Sequence, residues 1–302
     1  MWLSFDASAC LFDLATGTWL ATVKSKSKAH DARLAWRLLK HLRAGDILLA
    51  DRAFGSYAFI AACQRRGVDV VMRLHQARDP EMGKGKRLGP HDWQLTWGKP
   101  VQCAKGQHPA QHAALPAQLK LRRVQVLSDT PGQRTQELKI VTTLRDPVTH
   151  HALQIAAWYQ RRWQVELYFD DLKTSLGMDM LRCKTPPMVA RKLLMHMIAY
   201  NLVRHLIISA EPLRALDSRD ALSFKGTLDR LDQWQWAIWS APNTKHARRR
   251  RDDLLQSIAN DPVIKRPVRK GPRVCKNRQN KYTFLTKHRS LYSAHDDLSH
   301  AA

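Results

Sequence analysis

A stretch of fifteen residues, YQRRWQVELYFDDLK at positions 159–173, restricts the fold of this chain more than any other segment. Four polar residues in it stand at offsets of 0, 3, 7 and 14, and at about 100° per residue they fall within an arc of about 60°. They are Tyr159, Arg162, Glu166 and Lys173. The spacing therefore predicts one long helix on which a phenol, a guanidinium, a carboxylate and an ammonium group share a face.

An apolar stripe lies about a quarter turn away from this polar face on the same predicted helix. The stripe is formed by Trp158, Val165, Phe169, Leu172 and Leu176. It would let the helix dock on a core with its charged residues along the edge of the buried surface. A solvated face is the alternative, because Arg162 and Glu166 also form an ordinary i, i+4 pair that contributes about 0.2–0.5 kcal/mol. Spacing alone leaves both interpretations open.

The order Tyr159, two residues, Arg162, three residues, Glu166, six residues, Lys173 resembles the YREK signature of DDE transposases, specifically of the insertion-sequence-four group. A second segment, GDILLADRAFGSYAFIAACQRRGVDVVMRLHQ at residues 45–76, resembles the region of that group that carries the second catalytic aspartate. The two segments occur in the right order. The resemblance extends from about residue 10 to about residue 209.

The resemblance implies that Asp51 and Glu166 are catalytic and supply two of the three carboxylates that hold a pair of Mg²⁺ (or Mn²⁺) ions. Carboxylate oxygens are the ligands that such cations prefer, and two cations stabilise the attacking and leaving oxygens of a phosphodiester. By the same resemblance, Tyr159, Arg162 and Lys173 bind DNA and orient its phosphates.

The third carboxylate of the family comes from a first core strand that this sequence does not show. Asp6 and Asp13 are the acidic residues that precede Asp31, and neither matches the family pattern. The sequence therefore leads us to expect a chain that begins inside the catalytic core, without the N-terminal DNA-binding domain of the family. Such a protein would be truncated and impaired in catalysis.

Composition points to a nucleic-acid partner in a reducing compartment. Fifty Lys and Arg residues against 26 Asp and Glu give a formal net charge of +24, far from that of an ordinary metabolic enzyme. The five cysteines are scattered and form no CxxC pair, which argues against a disulfide framework or a zinc cluster. The N-terminus lacks a signal-peptide pattern, and no run of 18 apolar residues follows. We expect a cytoplasmic, nucleoid-associated protein without membrane spans.

The first part of the chain predicts an α/β fold. Residues 9–23 are typical of a β-hairpin, residues 29–42 of a helix, and residues 46–50 of a buried strand that places Asp51 at its carboxyl end. A helix at residues 57–66 and a strand at residues 68–74 follow, and this alternation favours a mostly parallel layered sheet. An aspartate that caps the next turn is the alternative role for Asp51.

Four domains are predicted, with an RNase H-like core implied by the resemblance. Residues 1–75 form the N-terminal part of that core, residues 76–148 a β-rich insertion, residues 149–212 the C-terminal helices of the core, and residues 213–302 a basic C-terminal region. In the insertion, the GKGKRLG segment carries Lys84, Lys86 and Arg87 as candidate contacts to a DNA backbone. Trp93 and Trp97 share one face of a predicted strand, and either core packing or base stacking explains them.

Two further predictions concern the C-terminal third. Pro186 and Pro187 start an apolar helix that is expected to pack on the core. Its apolar side chains are Leu193, Leu194, Met197, Ile198, Leu202 and Leu206. His196 and His205 on the same helix are expected to have structural roles. Residues 244–289, which include four consecutive arginines at 248–251, are rich in basic residues and in Pro and Gly. This composition predicts an extended or disordered tail that binds DNA by releasing counterions.

Together these features predict a transposase that cleaves and transfers DNA strands at transposon ends, with double-stranded DNA as partner and a homodimer as a possible assembly on it. The alternative is a non-catalytic basic DNA-binding remnant that interferes with a complete transposase. A nucleoid or ribosomal protein would explain the charge, but not the joint occurrence of the Asp51 segment and the 159–173 pattern.

Overall fold

The computed structural model describes residues 8–24, 31–73, 85–103, 109–128, 136–178, 183, 185–214 and 221–263. Strands in these ranges are β1 Ser8–Phe12, β2 Trp19–Lys24, β3 Ile47–Ala50, β4 Asp69–Arg73, β5 Lys86–Gly89, β6 Asp92–Gly98, β7 Gln118–Ser128 and β8 Gln136–Thr142. Helices are α1 Asp31–Leu38, α2 Tyr57–Arg65, α3 Pro109–Ala113, α4 Ala152–Arg161, α5 Gln164–Asp170, α6 Pro186–Ala210, α7 Phe224–Trp239 and α8 Thr244–Ala259. Apart from the facing ends of β7 and β8, all of them lie in the larger of two compact units, residues 1–126 and 139–263.

Strands β1 and β2 form the predicted antiparallel hairpin. Its turn is closed by two backbone hydrogen bonds, from Asp13 N to Thr18 O at 2.9 Å and from Gly17 N to Asp13 O at 2.7 Å. Gly17 has a φ of +73°, a left-handed conformation that glycine adopts without steric cost. Asp13 is therefore a turn residue, and its Oδ2 accepts a hydrogen bond from Thr16 Oγ1 at 2.6 Å.

The remaining six strands form one sheet in the order β3-β4-β8-β7-β6-β5. Only one pairing for which the strand direction is described is parallel, that of β3 with β4; the antiparallel ones join β4 to β8, β5 to β6, and β6 to β7. The prediction of a mostly parallel sheet was therefore wrong. The helix α2 joins the parallel neighbours β3 and β4, whereas β8 returns to the sheet only after β5, β6 and β7 and pairs with β4 in the opposite direction.

The β3-α2-β4 unit positions the first candidate site residue. Strand β4 is apolar on both faces, and Val70, Val71 and Met72 are fully buried in the centre of the sheet. The parallel register pairs Ala50 with Met72, so the next residues along the two strands, Asp51 and Arg73, leave the same edge of the sheet. The predicted placement of Asp51 at a strand end is confirmed.

Helix α6 begins at Pro186, as predicted, but only part of its apolar surface is buried. Leu193 is buried, and Met197 and Leu206 pack against the same cluster, whereas Leu194, Ile198 and Leu202 are each more than half exposed. The prediction that all six pack on the core was wrong for these three, because α6 is apolar around its whole circumference and the core covers one side. By length and composition, residues Pro187–Leu213 could also cross a membrane, a test that core helices pass too.

The basic segment from residue 244 does not begin as an extended tail. Residues 244–259 form α8, whose first turn is capped by the Asn243 side chain accepting from His246 N at 3.1 Å. Leu254, Leu255 and Ile258 are buried against α6 and α7, and this apolar anchor overrides the charge of the arginines before it. The prediction of disorder was wrong here. Residues 264–302, like Asp6 and Lys84, lie outside the described residues.

A buried ion pair links the sheet to the segment that leads into α4. The side chain of Arg122 in β7 is fully buried, and its Nε and Nη2 donate to the two carboxylate oxygens of Asp92 in β6 at 2.8 and 2.6 Å. Its Nη1 donates to the carbonyl oxygens of His150 at 2.6 Å and Asp146 at 3.3 Å. This one guanidinium therefore fixes where the 146–150 turn, and so the start of α4, lies on the sheet.

Candidate functional site

The segment at residues 159–173 is helical throughout but is not the single helix that the spacing predicted. Helix α4 ends at Arg161, a tight turn covers Arg162 and Trp163, α5 follows, and residues 171–175 form a π-helix. In the turn, the backbone bonds run three residues back, from Arg162 N to Tyr159 O and from Glu166 N to Trp163 O at 3.1 and 3.0 Å. The prediction of one long helix was wrong at this turn.

The tight turn changes which side chains face the protein. A helix with bonds three residues back advances about 120° per residue rather than about 100°, so the residues beyond the turn are rotated ahead of the predicted register. Tyr159 is only 4% exposed. The side chains of Arg162 and Glu166 are 19% and 54% exposed. Glu166 therefore projects toward solvent while Tyr159 projects into the protein, and Arg162 lies between them.

Tyr159 is a buried phenol on which charged residues from three segments of the chain act. Burial raises the pKa of the Tyr159 hydroxyl; the Arg162 and Arg73 guanidinium groups oppose this rise, and the Asp51 carboxylate adds to it. Asp51, Arg73 and Arg162 are thus all close enough to Tyr159 to act on it electrostatically. A phenol is neutral at neutral pH already at its ordinary pKa of 10.0, and the raised pKa keeps Tyr159 so over a wider pH range, so it can donate a hydrogen bond to an anionic oxygen.

Asp51 directly follows β3, and part of its carboxylate is engaged locally. Its Oδ1 accepts a hydrogen bond from Arg52 N at 2.7 Å, and its carbonyl oxygen accepts from Phe54 N at 3.0 Å. Asp51 therefore also caps the turn that follows β3, which is the alternative role that the sequence left open. The cap of the next helix, α2, is a different residue, since Ser56 Oγ accepts from Phe59 N at 3.3 Å. The capping of α2 thus makes no demand on the Asp51 carboxylate.

Arg162 connects the buried and exposed parts of the site. Its Nη2 lies 3.8 Å from Glu166 Oε1, and its guanidinium lies 5.9 Å from the centre of the Tyr159 ring and 5.4 Å from that of Trp163. Its Nε is buried and has no hydrogen-bond partner among the described residues. A buried donor without a partner costs free energy unless a ligand binds it. A phosphate oxygen is the ligand that a guanidinium suits best.

Lys173 lies in the π-helix that follows α5 and is half-buried. This stretch closes with a bond from Leu176 N to Asp171 O at 3.1 Å, five residues back, and Gly177 ends it with a φ of +61°. A π-helix inside a longer helix is frequent at functional sites. Its wider turn rotates the chain less per residue, which works against the extra rotation of the tight turn before it.

The acidic residues of the site fit a divalent cation only in part. Asp51 and Glu166 offer hard carboxylate oxygens, and Mg²⁺ is commonly held by one or two carboxylates together with substrate phosphates. In the part of the chain that the structure describes, however, no group of three or more His, Cys, Asp or Glu side chains could hold a metal ion. Asp51 and Glu166 therefore remain the candidate ligands, and the described residues do not complete a site for two ions.

Arg73 is a further candidate site residue that the sequence patterns did not single out. It ends β4 next to the strand that carries Asp51, and it acts on the Tyr159 hydroxyl. The signal was available in principle, because parallel strands that end together place the residues after them side by side. Arg73 therefore adds a positive charge at the strand ends that carry Asp51.

Arg204 on α6, which the sequence patterns also did not single out, contacts the π-helix through Asp171. The Arg204 guanidinium on α6 lies 4.5 Å from the Tyr168 ring centre and 5.5 Å from those of Tyr200 and Phe224, and its Nη2 lies 3.4 Å from Asp171 Oδ2. Its Nε donates to the Tyr200 hydroxyl at 3.0 Å. Stacking of this kind stabilises by about 0.5–2 kcal/mol per contact. Arg204 therefore fastens the 168–171 segment to α6.

Asp171 is expected to lower the stability of the fold as the pH rises from about 4 to about 6. Burial raises the pKa of this carboxyl from 3.8 to about 6, while Arg204 opposes the rise and Asp170 adds to it. The folded protein therefore retains a proton that the unfolded chain has already released, so stability falls with pH in this window. We expect wild type to lose about 1–3 kcal/mol relative to Asp171→Asn between pH 4 and pH 7.

Urea unfolding of both proteins at several pH values measures this difference. Asp170→Asn, a change at the exposed neighbour, is the matched control and should keep most of the pH dependence. Stability curves of wild type and Asp171→Asn that run parallel between pH 4 and pH 7 would contradict the expectation.

Comparison with known proteins places these residues in context. The sequence matches the family described as "Transposase DDE domain" over residues 8–202. It is also similar to the transposase InsG for insertion sequence element IS4 of Escherichia coli strain K12, with 22% identity over 285 residues that cover 92% of this chain. The chain spans about three fifths, 61%, of the length of that relative. The matched ranges include all five candidate site residues.

Proposed function

Since the match extends over residues 8–202, the chain belongs to the transposases with a DDE domain, and we propose that it cleaves and transfers DNA strands at transposon ends with a divalent cation. The observation that carries this proposal is the grouping at Tyr159, where Asp51 acts on the phenol together with Arg162. Arg162 in turn pairs with Glu166. These contacts support a site to which two distant segments of the sequence contribute.

In this proposal Asp51 and Glu166 hold Mg²⁺ or Mn²⁺. When bound, such a cation stabilises the charge that develops on the attacking or leaving oxygen of a phosphodiester. Asp51 stands on a rigid strand end, whereas Glu166 stands on an exposed helical turn beside Arg162. The Arg162 guanidinium keeps the Glu166 side chain oriented and limits the repulsion between the two carboxylates.

The remaining site residues bind and orient the DNA. Tyr159 offers the O–H of a neutral phenol, and Arg162 offers its unpartnered Nε. Lys173 offers an ammonium group from the π-helix, and Arg73 another guanidinium from the sheet edge. All four side chains can donate a hydrogen bond to a phosphate oxygen, which suits a duplex backbone. The DNA ends are the proposed partner, with a homodimer as the assembly on them and the nucleoid as the place of action.

The fold is consistent with the RNase H-like core that we propose for this family member. The hairpin β1-β2, the unit β3-α2-β4 and helix α4 correspond to predicted core segments 1–75 and 149–212. Strands β5–β8 lie between β4 and α4 in sequence, as an insertion at 76–148 requires, and they extend the sheet of β3 and β4. Helices α7 and α8 open the basic region 213–302.

We further propose that catalysis by this chain is impaired. The described residues provide two carboxylates where the family site uses three, and they include no group of three that could hold a metal ion. The same observation favours a second candidate function: a non-catalytic DNA-binding protein that occupies transposon ends and so interferes with a complete transposase. The net charge of +24 suits either role. Metal-dependent cleavage of labelled transposon ends separates the two functions.

Binding to duplex DNA is expected to depend steeply on salt through the C-terminal basic residues. Residues 264–302 contain ten Lys and Arg against two Asp. Each phosphate contact adds about 0.9 to the slope of log affinity against log salt concentration for duplex DNA. Deletion of residues 264–302 should therefore flatten this slope by several units while leaving α8, whose Leu254 and Ile258 are buried, in place.

Fluorescence anisotropy with a labelled duplex from about 50 to 300 mM salt measures the slope. A full-length variant in which the ten basic residues are replaced by glutamine controls for the loss of chain length and should give the same flattening. An unchanged slope in both variants would move the electrostatic binding surface to the sheet and the Tyr159 site.

A further inference from the structure

Two tryptophans on α7 stand out from the others in their exposure. Trp236 and Trp239 are 67% and 78% exposed, the highest values for tryptophan among the described residues. Their rings contact each other with centres 5.1 Å apart. Two adjacent tryptophans that are exposed to solvent are uncommon on a protein surface and indicate a site that contacts a ligand or a partner. The rings can present flat faces to a ligand.

Helices α7 and α8 form an antiparallel hairpin that brings basic residues level with these rings. Arg230 Nε on α7 donates to Ser257 Oγ on α8 at 2.9 Å. Arg250 on α8 donates to the Ala237 carbonyl on α7. Ala237 lies seven residues after Arg230, and Arg250 lies seven residues before Ser257. This matched spacing places Trp236 at the level of Arg251 and Trp239 at the level of Arg248. Both tryptophans are therefore near the tip of the hairpin.

Trp236 and Arg249 project from the same outer side of the hairpin. Ile238 on α7 and Ile258 on α8 pack against the core. At about 100° per residue, Trp236 is about 200° from Ile238 and Arg249 about 180° from Ile258, so each points away from the core. Lys245 lies four residues before Arg249 and thus on the same face. Arg249 and Lys245 are exposed.

The charges around this patch suit a polyanion. Residues 245–251 carry five Lys and Arg, and the two exposed acidic residues of α8, Asp252 and Asp253, follow them toward the base of the hairpin, so the charge of residues 245–253 stays positive. The acidic residues nearest the tryptophans on α7 are engaged with neighbours: Asp229 pairs with Lys225, and Asp232 Oδ1 accepts from Gln235 Nε2 at 2.8 Å. Stacking rings beside guanidinium and ammonium groups are the combination that single-stranded nucleic acid binds.

We propose that the outer face of the α7–α8 hairpin binds an unpaired DNA strand, with bases stacked on Trp236 and Trp239 and phosphates on Lys245 and Arg249. Duplex DNA keeps its base faces stacked inside the helix and would use only the cations, so the tryptophans select unpaired strand. Strand cleavage and transfer expose such strands beside the duplex. This site shares no residue with the group at Tyr159 and acts apart from it.

Anisotropy of the full-length chain with fluorescein-labelled dT20, and with a 20-base-pair duplex, tests this proposal. Trp236→Ala/Trp239→Ala should weaken dT20 binding at least about tenfold with little change in salt slope, and should leave duplex binding nearly unchanged. Trp236→Phe/Trp239→Phe keeps flat rings and should retain most of the affinity. Arg249→Gln should lower the salt slope for dT20 by about 0.7.

Leu194→Ala/Leu202→Ala, a change of two exposed apolar residues on α6, is the matched control and should bind dT20 like wild type. Equal dT20 affinity of wild type and the double tryptophan-to-alanine variant would overturn the proposal. So would sedimentation showing that wild type dimerises and this variant does not, since a second copy would then cover the rings. Neither result bears on strand cleavage at Asp51 and Glu166, and absence of cleavage leaves this site standing.

Discussion

Purified full-length protein, incubated with Mg²⁺ or Mn²⁺ and the ends of its own element, is expected to cleave those ends no faster than its Glu166→Ala variant. In our proposal Asp51 and Glu166 hold one cation, and the described residues offer no group of three ligands that could hold a metal ion. Without the second, the attacking or leaving oxygen lacks a stabilising charge that supplies several kcal/mol. Each 1.36 kcal/mol is tenfold in rate, so the loss is about a thousandfold or more.

The matched control for this experiment is Glu211→Ala, an exposed carboxylate in the described chain that lies outside the site and pairs with Arg214. It should behave like wild type in both DNA binding and cleavage. Cleavage by wild type that Glu166→Ala abolishes and Glu211→Ala leaves intact would contradict the expectation. It would show that a further carboxylate completes the site, and Asp13 and Asp6 are the first residues to substitute next.

Replacing Arg122 with methionine is expected to lower the free energy of unfolding by about 3–5 kcal/mol. The change removes one partner of a buried ion pair and leaves the Asp92 carboxylate uncompensated in the interior. It also removes the donor that satisfies the His150 carbonyl. Because these contacts fix the turn before α4, the variant should in addition loosen the Tyr159 site. Urea unfolding measures the stability.

The double variant Asp92→Leu/Arg122→Met supplies the internal comparison. Replacement of both partners by apolar residues removes the unpaired charge and is often neutral, so most of the lost stability should return. Arg123→Met, a change at the adjacent residue that stacks on Trp93 at 4.6 Å, should cost no more than about 1 kcal/mol. Equal losses in the single and double variants would contradict this account, because they would show that the uncompensated Asp92 carboxylate is not what destabilises the fold.

Local patterns in the sequence predicted the elements that carry the site. The hairpin at residues 9–23, the strand before Asp51, the helix from Tyr57 and the helix from Pro186 all form as expected, because each depends on apolar periodicity and turn residues within a short segment. The Asp51 placement follows from the same local pattern. The resemblance carried by residues 159–173 and 45–76 also indicated the family that the match over residues 8–202 shows.

Features that depend on tertiary packing could not be predicted in the same way. The turn at Arg162–Trp163 contains neither Pro nor Gly, so nothing in the sequence interrupts the helix there. Its tight bonds separate a buried Tyr159 from an exposed Glu166, and helical spacing places both on one face. The direction of the strands beyond β4 likewise depends on how the chain returns to the sheet.

Composition misled in two segments for a common physical reason. Four consecutive arginines in α8 suggested a solvated tail, but Leu254, Leu255 and Ile258 later in the same helix bury against the core. In α6 the apolar residues are spread around the helix, so sequence could not tell which side is covered. In both segments the position of the neighbouring helices decides which side chains are buried. That position cannot be predicted from the sequence of the segment alone.

Iron-directed cleavage of the protein backbone tests most directly the claim that Asp51 and Glu166 jointly hold a divalent cation. Fe²⁺ in place of Mg²⁺, with ascorbate and hydrogen peroxide, cuts the chain beside the bound ion, and mass spectrometry locates the cuts. The account predicts cuts near both Asp51 and Glu166 that disappear together in Asp51→Asn and in excess Mg²⁺. Cuts near only one of the two residues, or near neither, would contradict it.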